Sequence, residues 1–210
     1  MSLCATGTPV SGPALPAAIC ASAAFAADDK PAIVFDIGGK FDKSFNESMF
    51  NGAEKFKAET GIPVYKWDVS SYDACAAGIK QVEADLGPVE VLVNNAGITR
   101  DAMLHRMKPE QWSAVINTNL GSLFNMCRPV IEGMRERKFG RIVNITSAMV
   151  KQPRPRMALS TGARAGLTAF AKSVSLDVAV DNVTINCMLP ERIDTDRQRF
   201  MAERMMKDLG

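Results

Sequence analysis

Histidine, tyrosine and tryptophan are scarce in this chain of 210 residues, with one, two and two of them respectively. The single histidine, His105, has no second histidine and no nearby cysteine with which to share a metal, so a surface or loop-packing role is expected. The five cysteines, at 4, 20, 75, 127 and 187, form no Cys-x-x-Cys pair. Their odd number and wide spacing argue against a disulfide framework or a zinc site, and they read as small buried hydrophobes of a reducing compartment. An excess of one charge is lacking too. Lys and Arg total 25 against 23 Asp and Glu, and a net charge of +2 gives no electrostatic reason to expect a nucleic-acid or membrane partner. The one basic cluster, "KQPRPR" (151–156), is short and broken by prolines.

No apolar run is long and unbroken enough to span a bilayer. The nearest approach is the opening, where "LPAAICASAAFAADDK" contains Ala24-Phe25-Ala26, the A-x-A shape of a secretory cleavage site. Yet no Lys or Arg precedes Lys30, and Pro13 and Pro16 interrupt the run. Residues 1–27 therefore read as a degraded or truncated signal peptide, or as a disordered Ala/Pro-rich leader. A cytoplasmic location suits the cysteines; a periplasmic one requires a working leader.

What is present is enough for one domain over residues 28–210. Hydrophobic residues make up 47% and charged residues 23%, as in a globular protein with a sizeable core. Short apolar strands are expected at 30–39, 62–69, 89–97, 140–147 and 182–190. Helices are expected at 44–60, where Ser44 and Glu47 form a capping box, and at 71–87, 108–137 and 158–180. Over 108–137 the residues Trp112, Ile116, Leu120, Leu123, Cys127, Ile131 and Met134 fall on one predicted face. The segment after 190 reads as helical, either a substrate lid or a terminal helix. Strands alternating with helices predict an α/β, doubly wound, mostly parallel sheet of Rossmann type in a single domain, without repeats or linkers.

Asp68, Asn94-Asn95, Ser147 and Pro190 each close a predicted strand. Ligands of such sheets bind beyond the carboxyl ends of the strands. Any one of these residues is explained by a turn; the four together point to a crevice.

The segment from Trp67 to Ser147, with "NNAG" (94–97), "INTNL" (116–120) and "GRIVNITS" (140–147) in order, resembles the short-chain dehydrogenase/reductase family, in particular its acetoacetyl-CoA and 3-oxoacyl-carrier-protein reductases. The resemblance implies reduction of a 3-oxoacyl thioester with NADP or NAD, and is compatible with a homo-oligomer. It implies that Asp68 and Val69 lie against the adenine, and that Asn94, Asn95, Ala96 and Gly97 support the strand beside the cofactor. Asn119 would hold a water in the proton relay, and Ser147 would hydrogen-bond the substrate carbonyl. From Ala148 to about Lys207 the chain resembles a different branch of the same family, with Pro190, Ile193 and Thr195 on the nicotinamide side. Residues 1–64, including "KPAIVFDIGGKFDKSFNESMFNGAEKFKAETGIPV", resemble instead the start of the basic membrane protein family of periplasmic nucleoside-binding proteins. The chain thus reads as a mosaic joined near residues 65 and 148, with an atypical first βα unit and a shortened C-terminus.

The stretch "SAMVKQPRPRMALSTGAR" (147–164) departs from the family pattern, which places tyrosine thirteen residues after the serine and lysine four further on. Those positions hold Ser160 and Arg164, while the two tyrosines, Tyr65 and Tyr72, lie elsewhere. A phenol titrates near about 10 and a neighbouring cation lowers that, whereas an aliphatic hydroxyl is a far poorer acid. An arginine stays charged and relays no proton. The glycine-rich phosphate loop is also absent, with only Gly38 and Gly39 after the first strand, so weak cofactor binding is expected. The readings left open are an impaired reductase, a catalytically idle nucleotide-fold binding protein, and a fragment of a periplasmic solute-binding protein.

Overall fold

The computed structural model describes residues 64–191 throughout and, outside them, residues 33–35, 52, 54, 55, 57–59, 61, 199, 203 and 206. The leader 1–27, the 44–60 capping box and the helix expected after 190 lie outside the described residues. Strand β1 (Ile33–Phe35) pairs in parallel with β2 (Val64–Lys66). A second parallel ladder runs β3 (Val91–Asn94), β4 (Gly140–Ile145), β5 (Val183–Met188), with Leu92, Ile142 and Ile185 side by side. The parallel α/β architecture is as expected. Among the described residues the strands are shorter than their apolar runs and form two ladders.

Helix α1 (Tyr72–Leu86) shows how local chemistry sets the elements. Ser71 caps its start, Oγ accepting from Ala74 N at 3.3 Å, and Gly87 ends it at φ +98, where a side chain would be strained. Trp67, buried just after β2, lies against α1 at Gly78, where an added Cβ would sit 2.3 Å from the indole. Overpacking of this kind costs about 1–3 kcal/mol, more than the helix-propensity gain of up to about 1 kcal/mol. Gly78→Ala is therefore expected to destabilise the fold by about 1–2 kcal/mol in urea titration, and a neutral or stabilising result would show that Trp67 can yield.

Helix α2 (Pro109–Ile116), a π-helical turn (Asn117–Gly121) and helix α3 (Ser122–Glu136) replace the single helix expected over 108–137. A π turn inserts an extra residue and rotates the helix beyond it. The expected common face is accordingly broken: Trp112 is 53% exposed while Val115 is buried, and the core face resumes after the turn at Leu123, Cys127 and Met134. Helix α4 (Ala158–Val178) leads into β5.

The core joins α1, α3 and α4 to one face of the second ladder, through Cys75, Ile79, Val130, Met134, Leu167 and Ala171 against Leu92, Ile142 and Val183. On the other face Val91, Val93 and Met188 are exposed. Cys75 and Cys127 are buried, as expected of small hydrophobes, and Cys187 is half-buried. His105 is exposed on a short 3-10 turn, Leu104–Arg106. Among the described residues, no helix is long and apolar enough to cross a membrane.

An ion-pair cluster ties the end of α3 to the turn before β5. Lys138 Nζ donates to Asp181 Oδ1, and Arg135 Nε donates to Oδ2 at 2.7 Å. The bond from Lys138, followed by that from Arg135, holds the Asp181 carboxyl below its ordinary value. A carboxyl lowered in this way contributes stability above its unfolded value of about 3.9, and the contribution is lost as pH falls through the folded value. Asp181→Asn is expected to lower the melting temperature at neutral pH. The gap to the parent should close as the pH is taken below about 4; an offset that does not change with pH would contradict this.

Candidate active site

The site is built where β3 and β4 end. Asn94, the last residue of β3, is buried, its Nδ2 donating to Asn144 Oδ1 at 2.9 Å and to Cys127 Sγ at 3.3 Å. Burial pushes the Cys127 thiol up to about 11, so it is inert. The Asn94 amide thus ties the two strands together inside the core and does not face a ligand.

Beyond Asn94 the chain turns through Ala96 and Gly97 to Ile98, and there Asn119 holds it. Asn119 sits in the π turn and is 1% exposed. Its Oδ1 accepts from Ile98 N at 2.8 Å and its Nδ2 donates to Ile98 O at 2.9 Å. Both ends of the amide are spent on one backbone residue, so Asn119 sets the path of the loop. The π turn aims the side chain inward.

Arg164, on α4, reaches the same place. Its Nη1 donates to Ile145 O at 2.8 Å, at the end of β4, and its Nη2 donates to Ala96 O at 3.3 Å. An added Cβ on Gly97 would sit 1.9 Å from Arg164 Nη2 and 3.5 Å from Asn119 Oδ1, so Asn119 and Arg164 meet over that glycine. Burial pulls the guanidinium below its ordinary value, though arginine stays protonated. It bonds these two carbonyls, and among the described residues no carboxylate lies within ion-pair reach of it.

Ser147 follows β4 by two residues and caps the short turn Ala148–Val150, its Oγ accepting from Met149 N at 3.2 Å. That bond leaves the hydroxyl hydrogen available to a ligand oxygen. Pro190 fixes the same loop, its carbonyl accepting from Ala148 N at 3.0 Å. Ser160, in the first turn of α4, has its backbone N 3.0 Å from Asp101 Oδ1, and its hydroxyl donates to Asp101 Oδ2. Asp101 is the residue that sequence reasoning missed. It lies four residues past "NNAG", and its carboxylate satisfies an N–H at the start of α4 that no local cap serves.

Asp68 is at the far side, its Oδ1 accepting from Ser70 N at 2.8 Å and from Ser70 Oγ at 2.6 Å. The Val69 side chain is buried, and its carbonyl accepts from Asn125 Nδ2 at 2.9 Å. Asn95 is half-buried beside Asn94. Tyr65 and Tyr72 bond Asp85 and Arg128, away from the strand tips. Ile193 and Thr195 lie outside the described residues.

The chain matches the short chain dehydrogenase family over residues 44–205, most of its length. It belongs to that family. It is 53% identical to an acetoacetyl-CoA reductase of Shinella zoogloeoides, over 75% of this chain and 66% of the relative. It is 51% identical to an acetoacetyl-CoA reductase of Paracoccus denitrificans, over 82% and 75% respectively. It is 40% identical to a 3-oxoacyl-[acyl-carrier-protein] reductase of Chlamydia muridarum, over 67% and 57%. The chain therefore spans roughly two thirds of the length of these curated relatives. As a short chain dehydrogenase it keeps the family match through Ser160 and Arg164. The match also takes in residues 44–64, inside the stretch that resembles a nucleoside-binding protein.

Toward the nicotinamide dinucleotide that short chain dehydrogenases generally use, the described residues offer one open group and one filled position. Asp68 keeps its Oδ2 free of the bonds to Ser70, whereas the space over Gly97, at the strand tip, is taken by Arg164 Nη2. At that tip stands Arg164, bonded to Ala96 O and Ile145 O. Gly38 and Gly39 lie outside the described residues.

Proposed function

We propose that the chain is a reductase of 3-oxoacyl thioesters of the acetoacetyl-CoA kind, working with NADPH or NADH and slow in its proton step. The observation that carries this reading is the meeting of Asn119 and Arg164 over Gly97, beside the strand that ends two residues before Ser147. When bound, NAD(P)H would supply the hydride that the carbonyl carbon takes up. Ser147 donates its free hydroxyl hydrogen to the carbonyl oxygen and polarises it. Asn119 keeps Ala96–Ile98 in place through both backbone groups of Ile98. Asp68, Asn94–Gly97 and Pro190 line or support the cofactor side, the last by fixing the Ser147 loop.

The weak step is protonation of the developing alkoxide. The Ser160 hydroxyl is committed to Asp101, besides being a poor acid. Arg164 places a cation at the strand tip but holds its protons. Losing a positioned general acid costs about 10²–10⁴ in rate.

The same two contacts favour a second reading, a nucleotide-fold protein that binds without turning over. A thermal-shift titration with NADPH and NADH, paired with an assay on acetoacetyl-CoA, separates them. Binding with slow turnover is expected. Binding with no turnover supports the idle protein, and a melting temperature unmoved by either cofactor would sink the reductase reading.

A further inference from the structure

We propose that the loop Lys151–Arg156 is a docking site for the phosphate groups of a coenzyme A thioester at the mouth of the site; this rests on the thioester reading above. The loop lies between Ser147 and Ser160, and all six of its residues are exposed. It is short, charged and stiff. Lys151 N and Gln152 N donate to Ala148 O at 3.0 and 3.1 Å, Ala148 N in turn donates to Pro190 O, and Pro153 and Pro155 restrict the backbone between them.

Its charges are mostly uncommitted. Arg154 pairs with Glu191 at 3.0 Å, whereas Lys151 and Arg156 have no carboxylate within ion-pair reach among the described residues. Arg156 also holds a left-handed backbone, φ +64, a conformation disfavoured for arginine and frequent at ligand clamps. Three cations on a stiff exposed loop match a ligand whose reacting end lies at Ser147 and whose far end carries several phosphates. A substrate carbonyl on Ser147 would direct its carrier outward over the adjoining residues.

The test compares binding, by calorimetry on the full chain, of acetoacetyl-CoA, of coenzyme A itself, and of the N-acetylcysteamine thioester of acetoacetate, which has no phosphate. Lys151→Glu with Arg156→Glu should weaken both coenzyme A ligands about tenfold at low ionic strength and leave the phosphate-free thioester unchanged. The difference should shrink in about 1 M salt, where the Debye length is about 3 Å. Arg156→Gly should weaken coenzyme A while keeping or raising the melting temperature, because glycine tolerates the backbone. Glu191→Gln, by freeing Arg154, should tighten coenzyme A about twofold.

Equal effects on all three ligands, or none on coenzyme A, would overturn the proposal. Loop-dependent binding of free coenzyme A without any reduction would leave this proposal standing and fail the reductase reading; reduction indifferent to the loop would do the opposite.

Discussion

Changing Ser160 to tyrosine and Arg164 to lysine together is expected to raise the reduction of acetoacetyl-CoA by about 10²–10⁴ over the parent. The double change is needed because the two positions fail for different reasons. Ser160 lacks the acidity for proton donation, and its hydroxyl is held by Asp101. A tyrosine keeps the backbone bond to Asp101 Oδ1, which involves only the amide, and frees the side chain to face the ligand. Arg164 spans Ala96 O and Ile145 O and fills the space over Gly97. A lysine can reach one of those carbonyls, opens that space, and brings a cation that lowers a neighbouring phenol. Either single change should recover far less than the pair. No gain in the double variant would locate the defect in cofactor binding, and an NADPH titration of that variant would then show no saturation.

Asn119→Ala is expected to be the most damaging single substitution for stability. Asn119 is almost fully buried and satisfies both the N–H and the C=O of Ile98. A buried polar group left without a partner costs about 1–3 kcal/mol, so orphaning two costs about 2–6 kcal/mol. At about 2–4 °C per kcal/mol for a chain of this size, the melting temperature should fall by roughly 4–24 °C. Asn119→Asp, which keeps an acceptor for Ile98 N but loses the donor to Ile98 O, should fall between parent and alanine variant. If alanine leaves the melting temperature within about a degree of the parent, water has replaced the amide and Asn119 does not hold the loop.

The sequence by itself determined those features that depend on neighbours along the chain. Ser71 and Gly87 place helix α1 to within a residue, because a cap hydroxyl and a left-handed glycine act on backbone groups one turn away. The apolar runs mark β3, β4 and β5 and put Asn94 and Ser147 at or beyond strand ends, because a strand pleats with the same period wherever it lies. Ser160 and Arg164 stand out in the sequence because their spacing from Ser147 is fixed, so their chemistry is legible without the fold.

The tertiary structure alone decided the contacts between distant residues. Asp101 meets Ser160 across 59 positions and Arg164 meets Ala96 across 68, and no periodicity records such pairs. The π turn at Asn117–Gly121 was illegible for a related reason: its composition is ordinary, and only the packing on either side shows that one residue has been added. Around that turn Trp112 is exposed while Val115 and Asn119 are buried, so the core face and the site's central contact are both set by long-range packing.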